Sequence, residues 1–196
     1  MDSYQILKTK YKVGHPISGT VIAYEVSDSL NGFTSCRIEI QSSFEQKIIL
    51  DYVDLFDQHT PFDEALIPAI GSRLKLVIKN YVDGILYVNA KPKDLSKAEI
   101  QKYKEFYQLV DSLEEGRILE GRVEHIRPFG IFVNLGWPFL GLIDIGHISF
   151  NAGRQLPYDL AAWPKVGEAI RCRLGYFRFR NRQLGLGWLP NGEQVE

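Results

Sequence analysis

Between residues 118 and 188 the apolar positions fall into short runs, not long helical stripes. Segments 118–126, 129–135, 140–143, 169–174 and 183–188 are β-branched or alternate apolar with polar residues. That two-residue period marks half-buried strands. The first half of the chain repeats the pattern at 17–24, 37–40, 48–50, 73–79 and 85–89. Asp83-Gly84, between the last two runs, predicts a tight hairpin turn. A different period appears between the halves. Ile100, Tyr103, Tyr107 and Val110 recur at helical spacing, as do Phe106, Leu109 and Leu113, behind the capping-box sequence Ser96-Lys97-Ala98-Glu99. This predicts a connecting helix over 96–112, with an apolar face broad enough to pack on one or both of its neighbours.

The two sets of strands belong to an internal repeat. Residues 61–71 and 157–167 align without a gap, with Pro61/Pro157, Phe62/Tyr158, Asp63/Asp159, Pro68/Pro164 and Gly71/Gly167 in matching places. Upstream, Gly14 and Gly19-Thr20-Val21 parallel Gly116 and Gly121-Arg122-Val123. Downstream, Leu86-Tyr87-Val88 parallels Leu184-Gly185-Leu186. The domains are therefore expected at 10–94 and 113–191, with a linker at 95–112. Five short strands per copy predict a mainly β fold: two five-stranded Greek-key barrels of OB type joined by an α-helix. Pro61-x-Asp63 and Pro157-x-Asp159 read as turn and cap chemistry, the proline fixing φ and the aspartate capping a short helix.

Hydrophobic content of 45% suits a folded globular chain, and no apolar run approaches membrane-spanning length. The first residues lack the basic and apolar regions of a signal peptide. Cys36 and Cys172 fall one per copy inside predicted strands and read as buried thiols, which points to the cytoplasm. A net charge of −1 argues against strong nonspecific nucleic-acid binding, but the charge is uneven. In the second copy Arg171, Arg173, Arg178, Arg180 and Arg182 are interleaved with Tyr176, Phe177 and Phe179. Arginine makes planar bidentate and stacking contacts that lysine cannot. The first copy is more acidic, with Asp51, Asp54, Asp57, Asp63 and Glu64 close together, a pattern of a solvated acidic face.

The second copy resembles an S1-type RNA-binding domain over residues 113–190. Gly116 and Gly121-Arg122-Val123 match the opening strand of that family, and Phe129-Gly130-Ile131-Phe132-Val133 its Phe-Gly-x-Phe-Val second strand. Gly141-Leu142-Ile143-Asp144-Ile145 is similar to the Gly-Leu-Val-His-Ile third strand, Val166-Gly167-Glu168 to the turn before the fourth, and Leu184-Gly185-Leu186 to the fifth. The first copy is a divergent version. Asn31-Gly32-Phe33-Thr34 stands where Phe-Gly-x-Phe is expected, and Cys36, Ile38 and Ile40 fit the buried face.

Strand periodicity sends Ile131, Val133 and Leu135 into the barrel and Phe132 outward, with Phe129 at the strand entry. Exposed aromatics of this kind stack unpaired bases, the reading favoured over their covering the barrel or packing on the other copy. Asp144 stands where the family carries histidine and repels phosphate unless paired; His147 is a candidate substitute. If 178–182 is extended, Arg178, Arg180 and Arg182 share one side and can neutralise phosphates, or else form a solvated rim or pair with acids. No catalytic constellation, metal-ligand spacing or phosphate loop is apparent, so neither enzymatic activity nor a cofactor is expected. The expected function is non-catalytic binding of single-stranded RNA through Phe129, Phe132, His147, Arg178, Arg180 and Arg182. The first domain would be a scaffold or contact a protein. The alternative is a protein–protein adaptor, or an inhibitor of a nuclease or ribosome-associated partner, using the same barrel faces.

Overall fold

The computed structural model describes residues 2–28, 34–146 and 156–190. Two five-stranded sheets each close into a barrel. The first is built from β1 (Pro16–Asp28), β2 (Thr34–Gln41), β3 (Lys47–Asp51), β4 (Arg73–Val82) and β5 (Ile85–Asn89). The second is built from β6 (Ile118–Arg127), β7 (Gly130–Asn134), β8 (Gly141–Asp144), β9 (Ala169–Arg178) and β10 (Gln183–Leu189). By compactness the chain divides into two units, Met1–Glu105 and Phe106–Glu196.

Both barrels close in the same way. The opening strand serves two partners. β1 pairs with β4 over Pro16–Thr20 and with β2 from Thr20 onward, and β6 pairs with β9 up to Arg122 and with β7 beyond it. A bulge sits at the changeover in each, between Val21 and Ala23 and between Val123 and His125. An extra residue there bends the strand and sharpens its twist, which lets one strand turn a barrel corner. The third and fifth strands then pair in parallel, β3 with β5 and β8 with β10.

Alternation fills the interiors. Ile38, Ile40, Ile48, Leu50, Leu76, Ile78, Leu86 and Val88 are buried in the first barrel. Ile131, Val133, Ile143, Ile170, Cys172, Leu174, Leu184 and Leu186 are buried in the second. Each such side chain contributes roughly 1.5–3 kcal/mol on leaving water. Leu135 is half-buried beyond the end of β7. The hairpin expected at Asp83-Gly84 is present: Val82 pairs with Ile85, and both turn residues have positive φ, 50° and 82°.

The connecting helix α2 spans Lys97–Ser112, with the Ser96 hydroxyl accepting from the Glu99 N–H at 3.2 Å. In the second unit its Phe106 meets Phe139 edge-on at 5.2 Å, and Tyr107 stacks flat on Phe179 at 5.6 Å. A short helix α1, Ser3–Thr9, precedes the first barrel, capped by Asp2. Periodicity gave no sign of it, because none of its residues is buried. The paired proline motifs are caps, as expected. The Asp63 carboxylate accepts from the Ala65 N–H and that of Asp159 from the Ala161 N–H, both at 2.9 Å.

One acidic residue departs from expectation. Asp54 is not part of a solvated face; it is 3% exposed and is bound by the ammonium groups of Lys79 and, at 3.1 Å, Lys91.

Candidate nucleic-acid interface

Cross-strand partners share a face of a sheet, so the register defines what each barrel shows outward. In the second barrel His125 pairs with Phe132, Phe132 with Leu142, Leu142 with Gly185, and Gly185 with Tyr176. One row thus crosses all five strands, from β6 through β7, β8 and β10 to β9. His125, Phe132 and Tyr176 are half-buried, and Leu142 is buried between them in the row.

The aromatic groups touch. The His125 imidazole stacks on Phe132 at 4.2 Å and 19°, and Phe129, 49% exposed, meets Phe132 edge-on at 5.9 Å and 80°. Phe132 is therefore clamped: His125 covers one face of its ring and Phe129 abuts it. The surfaces left for a planar ligand belong mainly to Phe129 and His125. Two glycines make this arrangement possible. A Cβ on Gly130 would lie 2.2 Å from the backbone oxygen of Ile143, so β7 and β8 approach as they do only because it is absent. A Cβ on Gly185 would lie 2.4 Å from the Tyr176 ring, which rests across the bare backbone.

Charge is balanced beside the row. Asp144, paired with Gly130, accepts from the Gly146 N–H at 2.9 Å and from an Arg178 Nη at 3.3 Å. Burial pushes the Tyr176 hydroxyl above its ordinary pKa; Arg178 pulls it down and Asp144 pushes it up. Tyr176, Arg178 and Asp144 thus form one polar cluster. Pairing with Arg178 removes much of the repulsion that Asp144 would offer a phosphate. Arg127, exposed at the end of β6 and in register with Gly130, adds a cation on the Phe129 side.

The arginine segment corrects the sequence reading. Arg178 pairs with Gln183, so residues 179–182 must turn the chain within four positions. They form a 3-10 turn at Phe179–Asn181, and Arg182 takes a left-handed conformation with φ 51°. Arg178, Arg180 and Arg182 are therefore not three guanidinium groups on one side of an extended ribbon. Arg180 is exposed and Arg182 half-buried. His147 lies outside the described residues. His125 and Tyr176 were missed because a bulge precedes each in the register, and counting by twos fails across a bulge.

The same register identifies the equivalent row of the first barrel as Ala23, Glu39, Ile49, Tyr87 and Asn80. Arg37 and Glu39 thus occupy the places of Gly130 and Phe132. The sequence alignment through Asn31-Gly32-Phe33 is superseded by this register; Asn31, Gly32 and Phe33 themselves lie outside the described residues. Charges flank the row here: Lys47 meets Glu39 at 3.3 Å and, beside it, Arg37 meets Asp51 at 3.9 Å. A groove of about 320 Å³ runs among Tyr24, Arg37, Glu39, Lys47, Ile49 and Tyr87.

No family model and no curated protein matches this chain. Among solved structures it is similar to GSP13 from Bacillus subtilis, at 18% identity over 43% of this chain and 65% of that one, with a TM-score of 0.33. It is similar to a multidomain protein with nucleic acid binding domains from Streptococcus pneumoniae, at 17% identity over 92% of this chain and 53% of that one, TM-score 0.29. It is also similar to Mycoplasma genitalium RNase R in complex with ribose-methylated single-stranded RNA, at 21% identity over 47% of this chain and 15% of that one, TM-score 0.36. The chain therefore spans less than two thirds of the length of each of these proteins. At TM-scores this low the likeness carries no functional argument, which must come from the chain's own residues.

Proposed function

We propose that this chain is a non-catalytic, cytoplasmic RNA-binding protein whose second barrel holds a few unpaired nucleotides on the face displaying His125, Phe129, Phe132 and Tyr176. The observation that carries the reading is the contact set Phe129–Phe132–His125, in which Phe132 is held by the other two rings and Phe129 and His125 present aromatic surface beside cations. Base stacking on such rings is worth about 1–3 kcal/mol per base and tolerates any base. Arg127, and Arg178 with its aspartate partner, supply the phosphate contacts, which weaken with salt. The first barrel, whose row carries Glu39 for Phe132 and Ala23 for His125, is the partner for a protein and contributes little to RNA. A net charge of −1 keeps the affinity modest, in the micromolar range, or ~8 kcal/mol.

The test is a titration of the full chain with labelled single-stranded oligonucleotides at low and moderate salt. Replacing both Phe129 and Phe132 with Ala is expected to weaken binding tenfold or more at every salt concentration, whereas Arg127→Gln flattens the salt dependence. Absence of binding at low salt by the unsubstituted protein overturns the RNA reading and leaves protein adaptation by the barrel faces in its place.

A further inference from the structure

Beyond the aromatic row, the outer line of β9 continues toward its N-terminal end. Cys172 faces the interior, fully buried, so Arg171 and Arg173 on either side of it face outward. Arg171 stands between Glu120 of β6 and Leu189 of β10, and Arg173 between Ile118 and Gly187. Arg122, two residues beyond Glu120 on β6, is exposed, and one Nη donates to the Gly167 carbonyl at 3.1 Å. Three arginines therefore line one path leading away from Tyr176.

Two of them are incomplete. The Nε of Arg171 and that of Arg173 are buried and have no hydrogen-bond partner among the described residues. A buried donor without an acceptor is destabilising, and the coincidence falls on adjacent outward positions of one strand. A guanidinium rotated so that its Nε–Nη edge meets a phosphate gains two charge-assisted bonds and loses that penalty. The first barrel has no such pair. Its register places Lys75 at the position of Arg171 and buried Val77 at that of Arg173.

We infer that Arg171 and Arg173 form a phosphate-tracking site that carries the backbone of a bound single strand off the aromatic row and along β9. This rests on the RNA reading and adds its direction: the strand leaves past Tyr176 toward Arg173 and Arg171. From Tyr176 the site begins three residues along at Arg173, roughly 10 Å of strand, and ends five along at Arg171, roughly 16 Å, so an oligonucleotide whose nucleotides are all taken up by the row does not occupy both arginines.

The experiment compares the full chain with R171Q/R173Q, using oligouridylates of four and twelve nucleotides over a range of salt. R73Q/K75Q in the first barrel removes the same charge and serves as control. For the twelve-mer, R171Q/R173Q is expected to lower the slope of log K against log salt by about 1.4, from ~0.7 per phosphate on a single strand. The four-mer and the control are expected to change little. If the unsubstituted protein binds both oligonucleotides and R171Q/R173Q leaves the twelve-mer slope unchanged, the tracking site is wrong and the RNA reading stands. An equal effect of R73Q/K75Q also overturns it, since net charge then explains the slope. If the unsubstituted protein binds neither oligonucleotide, both readings fail.

Discussion

The two barrels carry the same register on different surfaces. Position for position, His125, Phe132, Leu142, Gly185 and Tyr176 in the second stand where Ala23, Glu39, Ile49, Tyr87 and Asn80 stand in the first. Even the bulges coincide. The interiors remain interchangeable in kind, Ile38 and Ile40 answering to Ile131 and Val133, all buried. Inside, the register sets Gly141 where Ile48 stands, but the sharpest change of chemistry falls at outward positions. In one, rings contact rings; in the other, Glu39 is paired with Lys47 and Arg37 with Asp51. A barrel of this type can thus exchange its whole outward chemistry while its buried set holds the strands in place.

All three tryptophans, Trp137, Trp163 and Trp188, lie in the second unit, so their fluorescence reports its unfolding selectively. The largest expected effect is at Gly130. Arg37 is accommodated at the matching place in the first barrel, but a Cβ on Gly130 would collide with the Ile143 backbone oxygen. Gly130→Ala is expected to destabilise the second barrel by ~2–4 kcal/mol. This is measured as an earlier tryptophan transition in urea, and an unchanged midpoint would show that β7 and β8 separate without cost.

Next is Asp54, buried and bound by two lysines in the first barrel. Asp54→Ala leaves both ammonium groups without that partner and is expected to cost roughly 1–3 kcal/mol, discounted because the lysines reach water. The far-UV circular dichroism transition should move while the tryptophan transition holds.

The last effect, absent at neutral pH, concerns Cys172, whose thiol burial pushes up to about 12 from an ordinary 9.0. The folded state keeps its proton where the unfolded state loses it. Its contribution is complete below pH 9 and is lost as pH rises toward 12. The tryptophan melting temperature should fall over that window, and less steeply in Cys172→Val.

Much of this was legible in the chain. Strand runs, the Asp83-Gly84 hairpin, the capped helix behind Ser96 and the paired Asp63 and Asp159 caps are local signals, carried by a few adjacent residues. So was the Phe129–Phe132 pair, because the strand period turns Phe132 outward and Phe129 sits just before the strand at its entry. What could not be read depends on partners distant in sequence. His125 lies opposite Phe132 only because of the bulge after Val123, and Tyr176 crosses Gly185 only through the pairing of β9 with β10. Asp54 looked like one acid among many until Lys79 and Lys91 were brought to it from other parts of the fold. The turn at 179–182 follows from the Arg178–Gln183 pairing, which an alternating arginine pattern conceals.

If the two rows differ in function as they differ in surface, a single strand meets only one of them. Photocrosslinking the full chain to a uridine-rich single strand at low salt, followed by identification of the modified peptides, decides this. Crosslinks are predicted at Phe129, Phe132, His125 or Tyr176, with none at Tyr24, Glu39 or Tyr87. Crosslinks concentrated on the first barrel's row, or divided evenly between the two, would contradict it.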